Sequence, residues 1–482
     1  MKFPRAIPML VMAAAVLCRA HAAGAESTES RNSLREYAGV YAYRGGATVC
    51  IVPKKGRLIA VLDEALYPLT RVDGDAFKNG VGQPVTFRRE PSGAIAGVVE
   101  IADYFPRLSK EVPPGILRLT IPRPASDPKY RYRVPVKLDE GMGVGAAATA
   151  AGFNEAVLKQ LGRDIVAEKY PHVHSVLLWR NGKLVFEEYF YGYDVDRPHQ
   201  MRSATKSFIA TLVGTAVDQG KIRNASQPII ELLPWPIESF AHPDPRKARI
   251  TVDDLLTMRS GLDCDDRNAN SLGNDNVVYK RSDWARYAMD LPMVADPGVV
   301  ARYCSAGSYL AGRMVEHVTG RDLLEYADSA LFKAMGFRNY RWPHQTVSSN
   351  VATFGQLYLR PRDFLKFGIL YINGGRWQGK QLVSREWIER STQPLSKISS
   401  KTYGYFWWQQ SFNINTGSQT STVDTWLATG NGGQKLFVAP SLGLVAVFTG
   451  GNYNSTTDTP PNEIMANVLL PQLLRTAPSA ER

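Results

Sequence analysis

Met201-Arg202-Ser203-Ala204-Thr205-Lys206-Ser207-Phe208-Ile209-Ala210 is the stretch on which the fold reading turns. It opens polar and runs into an apolar segment, Phe208 to Val217. That change of character predicts a buried helix beginning near Ser203. Residues three apart share one helical face, so Ser203 Oγ and Lys206 Nζ can meet. A lysine held out of water loses basicity and can take a serine proton, which makes Ser203 a candidate nucleophile and Lys206 its base. The same spacing recurs at Ser126-Asp127-Pro128-Lys129, but prolines there rule out one helical turn. Read locally, Ser203 is equally an N-cap serine beside a snorkelling lysine. The rest of the chain separates the two readings.

Just upstream, His174 to Trp179 and Leu184 to Tyr191 flank Arg180-Asn181-Gly182-Lys183. Asn-Gly between apolar runs predicts a β-hairpin. A helix is expected over about 154–169, and before it the Gly/Ala-rich stretch 138–151 reads as a linker. Residues 30–137 alternate short β-rich runs with turn signals, as in Thr48–Val52, Leu58–Leu62, Val85–Phe87 and Ile95–Ile101, and predict a small all-β barrel or sandwich.

The first 25 residues read as a secretory signal: Lys2 and Arg5, the apolar run Ile7 to Leu17, then small residues around Ala20 to Ala25. Leu17 before Cys18 argues against lipid attachment. The run is too short for a comfortable membrane span, and no later stretch reaches about eighteen apolar residues, so no stable span is expected in the mature chain. The expected location is outside the cytoplasm, periplasmic or secreted. The 482 residues carry a formal charge of +12, about +9 without the leader, spread along the chain. With no dense Lys/Arg block and no nucleic-acid motif, nucleic acid is not an expected partner. His172-x-His174 has no third ligand nearby, so the two read as packing histidines. No metal and no cofactor is expected.

Downstream, helices are expected at Val252–Met258, Trp284–Met289, Ser308–His317, Leu323–Ala334 and Pro361–Tyr371. Strands return at Tyr403–Gln409, Thr425–Ala428, Gln434–Ala439 and Leu444–Thr449. One sheet would draw strands from both sides of a helical region, an α+β fold, in a domain covering 152–476. Two further segments carry chemistry. In Arg302-Tyr303-Cys304-Ser305-Ala306-Gly307, a tyrosine beside a lysine can shuttle a proton. In Ala428-Thr429-Gly430-Asn431-Gly432-Gly433-Gln434, glycines let a strand edge approach a ligand and aim a backbone N–H at a developing oxyanion. Taken singly, Tyr303 is also one of 22 tyrosines that pack, and the glycines also make a plain turn.

The order of these three segments resembles that of the penicillin-recognising serine hydrolases, a family that includes class C β-lactamases, D-alanyl-D-alanine carboxypeptidases and family VIII esterases. Thr251–Leu262, Ala306–Gly312, Pro361–Gly368 and Tyr403–Trp408 match its supporting text, and the resemblance covers about 170–455. Gly-Asn-Gly-Gly-Gln and Tyr303-Cys304-Ser305 are most similar to the 6-aminohexanoate-dimer hydrolase and esterase branch. The β-domain loosely resembles the small lipocalin-like domain fused to such hydrolases. The resemblance implies a β-lactamase/transpeptidase-like antiparallel sheet flanked by helices, with a helical subdomain. It implies Ser203 as the acylated nucleophile, Lys206 as its base, Tyr303 as proton shuttle to the leaving group, and an oxyanion hole from the N–H groups of Ser203 and Asn431. Ser305, Gly430, Gly432, Asp263, Trp407 and Trp408 are candidate substrate contacts.

Two departures narrow the expectation. β-Lactamases and carboxypeptidases carry a cation where this chain has Ala428, and Ser305 stands where Asn is usual. The reading is therefore an exported hydrolase of ester, amide or peptide-like small molecules. The alternatives are a β-lactamase or D-Ala-D-Ala carboxypeptidase, and a non-catalytic binder of peptidoglycan fragments on the same fold. Cys264 and Cys304 lie beside the motifs. In an exported enzyme they could be bridged, pinning the Tyr303 loop, or be two buried thiols; export favours the bridge.

Overall fold

A computed structural model describes residues 34–43, 47–62, 64–80, 82–100, 102–123, 129–138, 140–145, 148–342, 355–417, 419–453 and 459–475. The expected leader, 1–25, and Ser126 lie outside them.

The N-terminal region is a closed antiparallel barrel of eight strands in sequence order. These are β1 Gly39–Ala42, β2 Thr48–Lys54, β3 Arg57–Leu62, β4 Ala65–Asp73, β5 Ala76–Lys78, β6 Pro84–Arg89, β7 Ile95–Glu100 and β8 Asp103–Ser109, with β1 pairing back to β8. Of barrel and sandwich, the chain forms the barrel: apart from the closing β1–β8 pair every neighbour is a sequence neighbour, and closure leaves no edge strand. Its interior cluster includes Tyr37, Tyr41, Phe77 and Phe87.

The second region holds an eight-stranded antiparallel sheet. Its first two strands are β9 Val173–Arg180 and β10 Lys183–Tyr189, joined where Asn181 and Gly182 both take positive φ, 47° and 89°. A primed turn needs that geometry. Two short two-stranded pieces follow in the chain: β11 His199–Arg202 with β12 Gly355–Leu359, and β13 Arg376–Trp377 with β14 Lys380–Gln381. The rest of the large sheet comes late: β15 Ser396–Ile398, β16 Lys401–Tyr403, β17 Trp408–Asn415, β18 Thr420–Gly430, β19 Gln434–Ala439 and β20 Leu444–Gly450. The order β10-β9-β20-β19-β18-β17-β16-β15 joins the early hairpin to the late strands, with the helical region between.

The strand expected at Tyr403–Gln409 is instead broken in two. Gly404 has no room for a side chain, because a Cβ there would meet Ser391 O at 2.1 Å, and Phe406 takes a left-handed φ of 56°. The apolar helix runs Thr205–Asp218 and is buried from Thr205 to Ala216. An all-round apolar helix belongs in a core. Phe208 stacks on Phe367 of the helix Pro361–Ile372 at 3.7 Å, which fixes both helices over the sheet.

Described residues within 138–151 contact the second region. Gly145 N donates to Leu184 O at 2.8 Å. Glu140, fully buried, meets Arg360 at 2.8 Å and Lys366 at 3.6 Å.

Candidate active site

The chain leaves β11 through Arg202, whose φ of 51° turns it sharply into the helix. Ser203 sits at that turn and Lys206 one helical turn on, so the pair meets: Lys206 Nζ donates to Ser203 Oγ at 3.0 Å. Lys206 is 1% exposed while Ser203 is half-buried, so the lysine head lies under a reachable hydroxyl.

Tyr303 precedes the helix Ser305–Thr319, and Lys206 Nζ lies 5.1 Å from the centre of its ring. Trp408 also stacks on Tyr303, with ring centres 5.6 Å apart. The guanidinium of Arg267 lies 6.0 Å from the Tyr303 ring and 5.9 Å from that of Trp408. A disulfide joins Cys264 to Cys304, with Cα atoms 5.2 Å apart. It clamps the loop after Gly261 to the Tyr303 segment, and Asp266 N donates to Tyr303 O at 2.8 Å across the same junction.

The tip of β18 completes the cluster. A Cβ on Gly430 would fall 2.2 Å from Met201 O and 2.9 Å from Arg202 Cβ. Only glycine lets this strand press against the residues that lead into Ser203. Asn431 follows in the turn. Gln434 holds the turn by donating to Asn431 O at 3.1 Å and bonding Gly450 on both sides of its amide. Gly432, at φ 96°, lies against Tyr453 and accepts from Asn452 N at 3.0 Å.

Three expected substrate contacts have partners within the protein. Trp407 is fully buried against Tyr371 and Phe367, at 4.3 and 5.8 Å, so it belongs to the core. Asp263 is engaged by its own loop, accepting from Ser271 Oγ at 2.9 Å and Leu272 N at 3.3 Å. Ser305 is buried and bonded to Asp266.

Asp266 itself is the residue that sequence reading missed. Burial pushes its carboxyl up to about 6, opposed by the charge of Lys206 and by hydrogen bonds from Ser305. Its only signal is its place two residues past Cys264, which means little until the bridge is known. Lys435 of β19 is the second surprise. The Ala428-Thr429-Gly430 strand carries no cation, yet Lys435 Nζ lies 2.9 Å from Thr429 Oγ1 from the neighbouring strand. Arg202 is the third: it bonds Tyr67 OH of the barrel at 3.1 Å and lies 4.8 Å from the Tyr453 ring.

His174 and His199 contact each other at 2.9 Å between Nδ1 and Nε2 in full burial, which holds both well below the ordinary imidazole range. His172 is apart, against Tyr191. Among the described residues no group of three His, Cys, Asp or Glu side chains is placed to hold a metal ion.

The chain is similar to known proteins across this region. It is 23% identical over 229 residues to the 6-aminohexanoate-dimer hydrolase of Paenarthrobacter ureafaciens, covering 45% of this chain and 56% of that one. It is 30% identical over 193 residues to penicillin-binding protein 4 of Amycolatopsis lactamdurans, covering 39% and 48%. The chain thus spans about half the length of the curated relatives it matches. Among solved structures, a putative 6-aminohexanoate-dimer hydrolase from Bacillus anthracis shares the fold at a TM-score of 0.53 and 19% identity, over 73% of this chain and 90% of that one. A putative β-lactamase from Bacteroides dorei does so at 0.53 and 16%, over 66% and 99%. The protein-family model described as Beta-lactamase matches residues 164–468. A match over more than half of the chain, taking in both the helical region and the late strands, makes this protein a member of the beta-lactamase family.

Proposed function

We propose that this protein is an exported serine hydrolase that cleaves ester or amide bonds through an acyl-enzyme on Ser203. The observation that carries the reading is the 3.0 Å contact of buried Lys206 Nζ with half-buried Ser203 Oγ, beside the Tyr303 ring. Lys206 takes the hydroxyl proton as Oγ attacks the carbonyl carbon. The N–H groups of Ser203 and Asn431 receive the oxyanion. Tyr303 passes a proton to the leaving alcohol or amine as the carbonyl–heteroatom bond breaks. Water then attacks the acyl carbon, its proton returns through the same groups, and Ser203 is released. Relatives named as a dimer hydrolase and a penicillin-binding protein fit this chemistry without fixing the substrate.

Export rests on the leader-like first 25 residues and on the Cys264–Cys304 bridge, which an oxidising compartment favours. No helix among the described residues is long and apolar enough to cross a membrane. A periplasmic or secreted protein acting on small ester, amide or peptide-like molecules follows.

A fluorophosphonate probe with a panel of aryl esters and amides tests the reading, with Ser203→Ala as the blank. Labelling and turnover lost in the variant support it, and labelling that survives overturns the assigned nucleophile. One observation favours a second reading. Lys435 against Thr429 puts a cation beside the strand where carboxylate-bearing substrates dock, which suits a β-lactam or a peptide carboxylate. Turnover of a chromogenic cephalosporin, lowered by Lys435→Ala, would select it.

A further inference from the structure

The N-terminal barrel is filled at one end and hollow at the other. Tyr37, Tyr41, Phe77 and Phe87 pack ring against ring at 4.7–5.9 Å and plug the closed end. Toward the opposite end small or branched side chains line the interior, Val49 and Ile51 on β2, Ala60 on β3, Val85 on β6 and Val98 on β7, with the rings of Tyr43, Tyr67 and Phe105 beside them. Along β6 the hollow reaches Val85, while Phe87, two residues on, joins the plug. What remains joins the space facing the 269–280 segment and Tyr453 to form an open cavity of about 830 Å³. Protein interiors are otherwise close-packed; the barrel side of this space is walled mainly by apolar residues, with Asn79, Gln83, Glu100, Asn274, Asp275 and Lys280 among its polar lining, so its inner end is a place for an apolar guest.

The open end of the barrel does not face away from the hydrolase region. Its wall is completed by Asp275, Val277 and Lys280 of the 275–280 segment and by Tyr453. Asp275 stands close enough to Lys206 to feel its charge, which offsets part of the rise that burial imposes on the carboxyl. Tyr453 and Tyr67, both in the cavity wall, hold Arg202, the residue before Ser203. The barrel is tied in this orientation by Arg197–Glu64 at 2.8 Å and Lys54–Glu168 at 2.7 Å. Around the mouth the polar groups satisfy one another: Tyr43 OH donates to Glu100 at 2.5 Å, and Asn79 donates to Glu100 and Gln83 at 3.3 and 3.1 Å. An apolar chain passing this side of the rim leaves Tyr43, Asn79 and Glu100 paired with one another.

We propose that the hollow of the barrel is the acyl-chain site of the enzyme, receiving a medium or long aliphatic chain whose ester or amide carbonyl lies at Ser203. The proposal deepens the hydrolase reading and rests on it for the carbonyl end. The barrel then selects the substrate rather than only stabilising the fold. The substrate class is fatty-acyl esters or amides. Burial of each added methylene in the hollow favours binding until the space is full.

Two measurements on the full chain test it. In the first, p-nitrophenyl acetate, butyrate, octanoate and dodecanoate are compared. kcat/KM is expected to climb by about tenfold for each added pair of methylenes while the chain is still entering the hollow. A flat series overturns the proposal. In the second, Ser203→Ala protein is titrated with a dansyl-labelled fatty acid. One saturable site displaced by dodecanoate is expected, weakened roughly tenfold by Ala60→Trp or by Val85→Phe, each of which fills the hollow. Absence of saturable binding overturns the proposal, as does binding indifferent to both substitutions in proteins that retain the native unfolding transition. If both variants fail to fold, the ester series on the native chain decides. Acetate cleaved without fatty-acid binding removes the acyl site and keeps the hydrolase. Fatty-acid binding without cleavage of any ester removes the hydrolase and keeps the site.

Discussion

Ser305 donates both its backbone N–H, at 3.0 Å, and its hydroxyl, at 2.5 Å, to a single carboxylate oxygen of Asp266. The contact anchors the first turn of the Ser305–Thr319 helix to the loop that also bonds the carbonyl of Tyr303. Burial nevertheless raises the Asp266 carboxyl from 3.8 to about 6. A raised value in the fold means that the native state holds the proton more tightly than the unfolded chain. The stability this contributes is fully present below pH about 3.8 and is lost as pH rises through about 6. Asp266→Asn keeps an acceptor for Ser305 and removes the titration. Urea unfolding on both sides of that window should show the variant gaining about 1–3 kcal/mol on the native protein as pH rises. Parallel stability curves would refute the assignment.

Lys206 is predicted to act as a base and not as a spacer. Lys206→Ala should lower the acylation rate by about 10²–10⁴-fold with a smaller change in substrate binding. Lys206→Arg should not restore it, because a guanidinium stays protonated at any working pH. Pre-steady-state release of p-nitrophenol measures the step directly. A Lys206→Arg protein with near-native acylation would remove the lysine from this role.

The Cys264–Cys304 bridge closes a loop with a sequence separation of 40. Loop-closure entropy assigns such a bridge roughly 4 kcal/mol. The paired Cys264→Ala and Cys304→Ala protein should unfold at lower denaturant by that order. Its activity should fall further than its stability at assay temperature explains, since Tyr303 directly precedes Cys304. Unchanged turnover in the folded double variant would show that Tyr303 is held by other contacts.

Glu140 is wholly buried between Arg360 at 2.8 Å and Lys366 at 3.6 Å, with Asp363 bonded to both cations. Burial alone would raise its carboxyl, but Lys366 and the two arginines, Arg360 and Arg362, overcome that and hold it below its ordinary 4.5. The stability it contributes is therefore present above pH about 4.5 and lost as pH falls. Glu140→Ala leaves buried cations uncompensated and should cost about 3–5 kcal/mol. Thermal unfolding at neutral pH checks it, and a loss under about 1 kcal/mol would mean that Asp363 alone balances the cluster.

Much of the α+β region was legible along the chain because its signals are local. Asn181-Gly182 announces a primed turn whatever surrounds it, and the apolar run after Ser203 announces a buried helix. Ser203 and Lys206 lie within one helical turn, so their meeting needs only the helix. Other features depended on contacts between distant segments. Trp407 and Trp408 are adjacent and chemically identical, yet one packs on Tyr371 and the other on Tyr303. Asp263 and Asp266 are both acidic residues beside Cys264, and only the pairing of that loop with the 303–305 segment decides which meets Ser305.

The sequence by itself determined the meeting of Ser203 and Lys206, the order of the motifs and the division into an all-β part and an α+β part, since each is written in spacing or periodicity. Tertiary structure alone decided that Lys435 stands beside Thr429 and that the hollow end of the barrel opens toward Asp275 and Tyr453. Those outcomes rest on strand register, barrel closure and the packing of one region on another. Such contacts join residues far apart in the chain and leave no periodic trace in it.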